Sequence, residues 1–476
     1  MINMNVKSRI LTLTMHLFLL SFLATSTDVV SSTTTIIYVY PDVYTAEYVG
    51  ESFKIQVKVY DVVNLTAYQF KLKFNTTLLT CLNTCIGDVF PPPPRSTYII
   101  NIDNVQGIIS VQAFLQAGEN PAKGSGSLLS VIFNATKGTP YPQPRESCTL
   151  EIFDDYLYES SSQPIPHQTI NGVYNSPYIP PELSLALNTD RENIYFDEKI
   201  VINGTLRGNS YLIPDGLIAL EVDTPKGNPV VFRSLPTSPI PIVCPITIIE
   251  LTPCDLDGTP KYNFQVGSIA YFKVSIKNNS PNDLNITVTI NPYDSSNATL
   301  GTAFFTTFIR TGETLTIMLS VPIEKTSMSG NATVYANTFT GLPKNGGTPL
   351  SMEKSATFTI SGSIQSTPTY MSPPPQGCYL TIINVHYKPH SSGNYTIYAT
   401  TRYMGAYAMQ RKQIKIVIAG DLNEDGCVTL VDLIILAKAY GSKPEDLTWN
   451  PNADLNRDRK ISLVDLVILA KNYGKK

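Results

Sequence analysis

Histidine is scarce in this chain of 476 residues: His16, His167, His386 and His390 are all there are. His386 and His390 stand four apart, but Pro389 lies between them, so they do not share a helix face as a zinc pair on one helix does. No Gly-x-Ser-x-Gly elbow and no phosphate loop occurs. Glycoside hydrolysis needs two carboxylates on a rigid, sizeable fold, and no segment has the length or helix content of the usual barrel folds. These absences argue for a non-catalytic chain. Charged residues make up only 15% and the net charge is -3, which leaves no basic footprint for nucleic acid. Tryptophan occurs once, as Trp449. Aromatic platforms for sugar stacking would therefore have to be tyrosines, most of which fill sheets.

Cysteine is too sparse, and odd in number at seven, for a tight disulfide framework. Cys81 and Cys85 bracket what reads as a short turn and could bridge, with Cys148 as a competing partner. Cys244 and Cys254 flank the apolar run Ile246 to Leu251. In a strand they would lie roughly 30 Å apart at about 3.3 Å per residue, so they should not pair with each other.

Long helical periodicity is also missing before residue 430. What replaces it is alternation, with 27 tyrosines and 35 prolines, the composition of β-sandwiches. Phe53, Ile55, Val57 and Val59 fall on one side of a run whose other side is Lys54, Gln56 and Lys58, the period of a half-buried strand. The length predicts three to four domains. The fold class expected is mainly β: tandem sandwiches ending in a small α-helical module.

At the N-terminus, Lys7 and Arg9 precede an apolar run from Ile10 to Ala24 and the small-residue group Ala24-Thr25-Ser26. This reads as a secretory signal over residues 1–26, with an uncleaved anchor as the alternative. No second apolar run of spanning length appears. The mature protein is expected to be secreted, extracellular or at the cell surface.

Strand-like runs mark a first domain over residues 33–175, and Pro177-Tyr-Ile-Pro-Pro181 reads as a linker. The runs Leu183 to Asn188, Lys199 to Leu206, Leu217 to Asp223 and Val230 to Leu235 are too few to close a sandwich alone. Residues 240–362 hold enough strands for one of their own. Beyond Pro368 to Pro375 come Cys378 to Val385, Tyr395 to Arg402 and Gln413 to Ile418. Returning these to the unfinished sheet makes residues 179–236 plus 365–418 a discontinuous domain with 240–362 inserted. The rival is three sandwiches in series.

The strongest pattern lies at the C-terminus. Asp421-Leu-Asn423-Glu-Asp425-Gly-Cys427-Val-Thr429-Leu-Val-Asp432 recurs as Asp454-Leu-Asn456-Arg-Asp458-Arg-Lys460-Ile-Ser462-Leu-Val-Asp465, and 14 of 21 aligned residues from Asp421 and Asp454 onward are identical. Oxygen side chains at loop positions 1, 3, 5, 9 and 12 replace the water shell of a hard cation, and position 7 (Cys427, Lys460) contributes its carbonyl. Two Ca2+ sites are expected. Position 12 is Asp instead of the Glu of a full EF-hand loop. Arg459 stands where the loop turns and Gly is preferred; a non-Gly residue at positive φ costs on the order of 1 kcal/mol, so the second site should be strained or weaker.

A loop followed by one exit helix, twice, over residues 419–476, resembles a type I dockerin, the module that plugs into cohesins. The resemblance implies cohesin contacts at Leu430, Val431 and Lys438, and at Leu463, Val464 and Lys471; the alternative for the four apolar residues is that they fill the module's small core. In residues 33–175, Gly50-Glu51, Tyr68-Gln-Phe-Lys-Leu-Lys-Phe74 and Gly126-Ser-Leu-Leu-Ser-Val-Ile-Phe-Asn-Ala135 look like a cohesin, with a generic Ig-like sandwich as the alternative. Residues 240–362 resemble adhesion-related Ig-like modules. The stretch Gly393-Asn-Tyr-Thr-Ile-Tyr-Ala399 looks like the closing strands of macroglobulin-type Ig domains.

Together these resemblances imply a scaffoldin-like adaptor in a cellulosome-like or surface polysaccharide-processing setting. Its partners would be cohesin-bearing and dockerin-bearing proteins, with polysaccharide binding and head-to-tail self-assembly left open. The alternatives are a carbohydrate-binding surface protein and an accessory polysaccharide hydrolase.

Overall fold

A computed structural model describes residues 34–239, 241–362, 374–386 and 390–476. The signal expected over residues 1–26, with His16, lies outside them. So do Pro389 and most of the Pro368 to Pro375 stretch. Among the described residues no helix is long and apolar enough to cross a membrane. The chain divides into two compact units, one reaching Thr139 and including Gln143–Ile179, the other comprising Pro140–Pro142 and Pro180–Lys476.

The first unit is built on one strand, Ser52–Lys73, 22 residues long. Its first half pairs with Thr35–Tyr40 and Ala122–Ala135, its second half with Ile108–Leu115 and Ser147–Glu159. Register slips between Val59 and Leu65, and left-handed backbone at Asp61 (φ 51) and Asn64 (φ 65), mark where it exchanges one pair of partner strands for the other. The alternating run from Phe53 to Val59 and the stretch beginning at Tyr68 thus lie on one continuous strand. Its inward residues Phe53, Ile55, Val57 and Val59 are buried. Phe53 stacks between Tyr44 and Tyr174, with ring centroids 4.0 and 5.4 Å away. Each such aromatic contributes about 1.5–3 kcal/mol through burial.

The expected turn between Cys81 and Cys85 is absent. Both lie on the strand Leu79–Ile86, where residues four apart sit about 13 Å apart, beyond the Cα separation of about 4.4–6.8 Å that a disulfide spans. None of the seven cysteines is in a disulfide.

In the second unit, one five-stranded sheet runs Asn193–Tyr195, Ala406–Val417, Gly393–Tyr403, Leu217–Asp223, Pro229–Pro236. Another is centred on Lys199–Gly208, which pairs with Cys378–Asn384. Strands before residue 237 and after residue 377 therefore share both sheets: Ile194 pairs with Ile416, Ala219 with Thr400 and Ile200 with Ile383. Between them, two further sheets enclose a separate core around Phe264, Phe272 and Phe358.

This intervening module covers the edge of Pro229–Pro236 with side chains instead of a strand. Asn291 Oδ1 accepts from Phe232 N at 3.2 Å, Asn337 Nδ2 donates to Phe232 O at 3.3 Å, and Thr299 Oγ1 donates to Val230 O at 2.7 Å. Backbone groups that an open edge would leave unpaired are satisfied in this way.

Candidate metal loops and docking face

After the strand Ala406–Val417 the chain enters the first acidic loop, and the helix Leu430–Ala439 follows; the second loop leads into the helix Leu463–Asn472. Thr429 and Ser462 start these helices. Their hydroxyls accept from Val431 N at 3.3 Å and Val464 N at 3.2 Å, while Asp432 and Asp465 accept from Thr429 N and Ser462 N, each at 2.8 Å. These are capping boxes, with Asp in the place of the more usual Glu.

The position-12 carboxylates also reach back to close the loops. Asp432 Oδ1 accepts from Leu422 N at 2.8 Å and Asn423 N at 3.2 Å; Asp465 Oδ1 accepts from Asn456 N at 3.1 Å. At position 1, Asp421 accepts from Asp425 N at 3.1 Å and Gly426 N at 3.0 Å, and Asp454 from Asp458 N at 3.1 Å and Arg459 N at 2.8 Å. Asn423 Nδ2 donates to Asp425 and Asn456 Nδ2 to Asp458, both at 2.8 Å. The two loops therefore repeat each other closely, the difference being the Leu422 N bond to Asp432, which has no Leu455 counterpart at Asp465. Gly426 has φ 85 and Arg459 has φ 66, so the arginine occupies left-handed backbone where its counterpart is glycine.

Burial raises the pKa of Asp421, and the charges of Asp432 and Asp425 raise it further. Among the described residues no group of three or more His, Cys, Asp or Glu side chains forms a ready-made ligand cluster; the loop carboxylates instead accept from loop amides. An ionised carboxylate has about four acceptor positions. Asp421, Asp425, Asp454 and Asp458 each accept two bonds and keep lone pairs for a cation. Asp432 fills all four with Leu422 N, Asn423 N, Thr429 N and Thr429 Oγ1 and would have to exchange one for a metal. The residues expected to hold a cation would offer carboxylate, amide and hydroxyl oxygens plus the carbonyls of Cys427 and Lys460. That all-oxygen set suits Ca2+, which takes six to eight oxygen ligands, and suits a soft metal poorly.

The residues expected to meet a partner are exposed: Leu430 at 58%, Val431 at 51%, Leu463 at 62% and Val464 at 51%, with Lys438 and Lys471 exposed as well. The core is filled instead by Leu422, Val428, Leu436, Leu455, Ile461 and Leu469. Sequence reasoning missed Ile434 and Val467, exposed at 47% and 43%, which extend each stripe by one turn. The i, i+4 spacing from Leu430 and Leu463 was the signal that could have found them.

The first unit presents a sheet face of its own. Across the strands Ser96–Asp103, Ile108–Leu115, Ser52–Lys73 and Ser147–Glu159, Ile99 pairs with Gln112, Gln112 with Gln69, and Gln69 with Tyr156. Ile99 and Tyr156 are exposed, as is Phe114 in the neighbouring row.

Residues 41–148 match the family model of the cohesin domain and residues 419–473 that of the dockerin type I domain. Type I dockerins are calcium-binding modules, and both domains are non-catalytic interaction modules. No curated protein matches the chain. Among similar solved structures, a non-cellulosomal cohesin from the hyperthermophilic archaeon Archaeoglobus fulgidus is 18% identical, over 31% of this chain and 91% of that one, with a TM-score of 0.25. A type I cohesin–dockerin complex from Clostridium thermocellum gives 14% identity over 31% and 95%, with a TM-score of 0.27. The sixth cohesin of scaffoldin B from Acetivibrio cellulolyticus, in a dockerin complex, gives 17% over 30% and 99%, with a TM-score of 0.27.

Proposed function

We propose that this chain, which carries a cohesin domain and a type I dockerin domain, is a non-catalytic, exported adaptor that links cohesin-bearing to dockerin-bearing proteins. Each acidic loop holds one Ca2+. Asp421, Asn423, Asp425, Thr429, Asp432 and the Cys427 carbonyl serve the first; Asp454, Asn456, Asp458, Ser462, Asp465 and the Lys460 carbonyl serve the second. When bound, the ions neutralise the crowded carboxylates and give a module of about 55 residues the stability its small core does not supply.

The single observation behind this reading is the duplicated hydrogen-bond pattern of the loops, with an exposed apolar stripe on each exit helix. Leu430, Val431 and Ile434 form one stripe, Leu463, Val464 and Val467 the other, and Lys438 and Lys471 flank them. Because the halves repeat, either stripe can face a cohesin. At the other end, the sheet face around Ile99, Gln112 and Tyr156 receives dockerins of other proteins. Residues 179–236 plus 365–418, with 240–362 inserted, lie between the two modules in the sequence.

The test is binding of the full chain to a panel of immobilised cohesins in calcium and in chelator, with charged pairs replacing Leu430/Val431, Leu463/Val464 or both. Each single pair should retain binding, and the double should lose it. Loss from one pair alone overturns the two-faced mode, and binding unaffected by chelator overturns the role of calcium.

A further inference from the structure

The acidic loops are fastened to the sheet that precedes them. Arg457, at position 4 of the second loop, reaches Glu198 at 3.2 Å, donates to the Asn193 carbonyl at 3.3 Å and lies 4.9 Å from the Tyr195 ring centroid. Glu424, at position 4 of the first loop, pairs with Lys415. Asn193 and Lys415 are themselves partners in the parallel pairing of Asn193–Tyr195 with Ala406–Val417. The two loops thus grip two adjacent strands at the same register position.

Both gripping residues stand in left-handed backbone, Glu424 at φ 59 and Arg457 at φ 61. That is a conformation non-glycine residues hold only when their surroundings enforce it. Beneath the ion pairs the apolar core does not stop at the boundary: Ile416 of the sheet and Ile418 just beyond it belong to one cluster with Leu422, Leu455 and Leu469. The approach is close enough that a Cβ on Gly420 would lie 3.0 Å from the Leu469 Cα. A groove of about 310 Å3 remains between loops and strands, and Trp449 is in its wall.

We infer that calcium in the loops clamps the module onto the Asn193–Tyr195 and Ala406–Val417 strands, so that the sheet and residues 419–476 form one rigid arm. The inference rests on the calcium reading above. Its physical basis is that ligation by the flanking positions 3 and 5 fixes the backbone of position 4. Without the ions, Asp421, Asp425 and Asp432 repel one another in the first loop and Asp454, Asp458 and Asp465 in the second, both loops loosen, and the Glu424 and Arg457 anchors lose their positions. The edge strand Asn193–Tyr195, three residues long, would be the first element of the sheet to feel this. The docking stripes stay exposed while the clamp is closed, so the arm presents them in a fixed direction.

The experiment is amide hydrogen exchange of the full chain in calcium chloride and in chelator, for the wild type, Arg457→Ala, Lys415→Ala and the double variant. Calcium should slow exchange in residues 421–432 and 454–465 of every version. In the wild type it should also slow exchange at Asn193–Tyr195 and Gln413–Val417, by about tenfold. These strands contain no proposed metal ligand, and in the double variant their added protection should be lost while that of the loops persists. Calcium protection confined to the loops in the wild type overturns the clamp, as does strand protection that survives the double variant. Absence of calcium protection in the loops themselves overturns the calcium reading, and the clamp with it.

Discussion

Arg233 and Glu353, 120 residues apart in the chain, form a two-pronged ion pair, Nε to Oε2 at 2.8 Å and Nη2 to Oε1 at 2.7 Å. The same guanidinium donates to Thr381 Oγ1 at 2.8 Å and lies 4.0 Å from the Tyr335 ring centroid. The pair sits in the seam between the edge strand Pro229–Pro236 and the intervening module, beside the Asn291, Asn337 and Thr299 bonds to that edge. The buried guanidinium thus has its edge paired with two carboxylate oxygens and a hydroxyl and one face covered by a ring.

Removing one partner of this pair leaves the other buried and uncompensated. Glu353→Ala is therefore expected to destabilise the second unit by about 3–5 kcal/mol, whereas Arg233→Met combined with Glu353→Leu should be close to neutral. The midpoint of urea unfolding for the three proteins distinguishes these outcomes.

His386 links Asp197 and Asp294, its Nδ1 and Nε2 each 2.6 Å from a carboxylate oxygen. Burial alone would lower its pKa, but the hydrogen bonds and charges of the two aspartates win and lift it from 6.5 to about 9. A group whose folded-state pKa is raised contributes fully below its unfolded value and loses that contribution as pH rises through the folded one. Thermal stability should therefore fall between about pH 6.5 and 9 by an amount on the order of 1–3 kcal/mol, and His386→Gln should flatten that slope. His390, pushed down to about 4 by burial and by the charge of His386, stays neutral throughout and adds no slope of its own.

Arg459 holds φ 66 where the first loop has Gly426. Arg459→Gly is expected to relieve about 1 kcal/mol of backbone strain. Calorimetric titration should show the weaker of the two calcium sites becoming tighter, with the other unchanged.

Asp432 and Asp465 each cap a helix and close a loop. Asp432→Ala should remove one calcium site from the titration stoichiometry and cost on the order of 1–3 kcal/mol even in chelator, because the loop and cap amides it accepts from are left unpaired; Asp465→Ala should do the same for the other half. A variant that keeps both sites in the titration would refute the assignment of position 12 as a ligand.

The loops were legible in the chain itself because their information is local. Six positions within twelve residues fix ligand chemistry, helix start and turn, so the pattern at Asp421 repeats at Asp454 and can be read without knowing anything distant. Alternation was equally readable in Phe53, Ile55, Val57 and Val59, since a half-buried strand must put every second side chain inside. The change of partner strands midway along Ser52–Lys73 was not readable, because left-handed backbone at Asp61 and Asn64 is an option those residue types take only where neighbouring strands demand it. Nor was the role of Arg457, which as a loop residue at position 4 has no ligand to offer and acquires its meaning from Glu198 and Tyr195.

What the sequence alone determined is therefore everything carried by short spacing: the two acidic loops, their exit helices, and the faces of individual strands. Which strands pair, as Ile194 with Ile416, was decided only in the tertiary structure, as was the way Asn291 and Asn337 complete a sheet edge and the fastening of the loops to the sheet before them. Alternation specifies which face of a strand is buried but is nearly the same for every strand. The choice of partner depends on shape and hydrogen bonding between segments hundreds of residues apart.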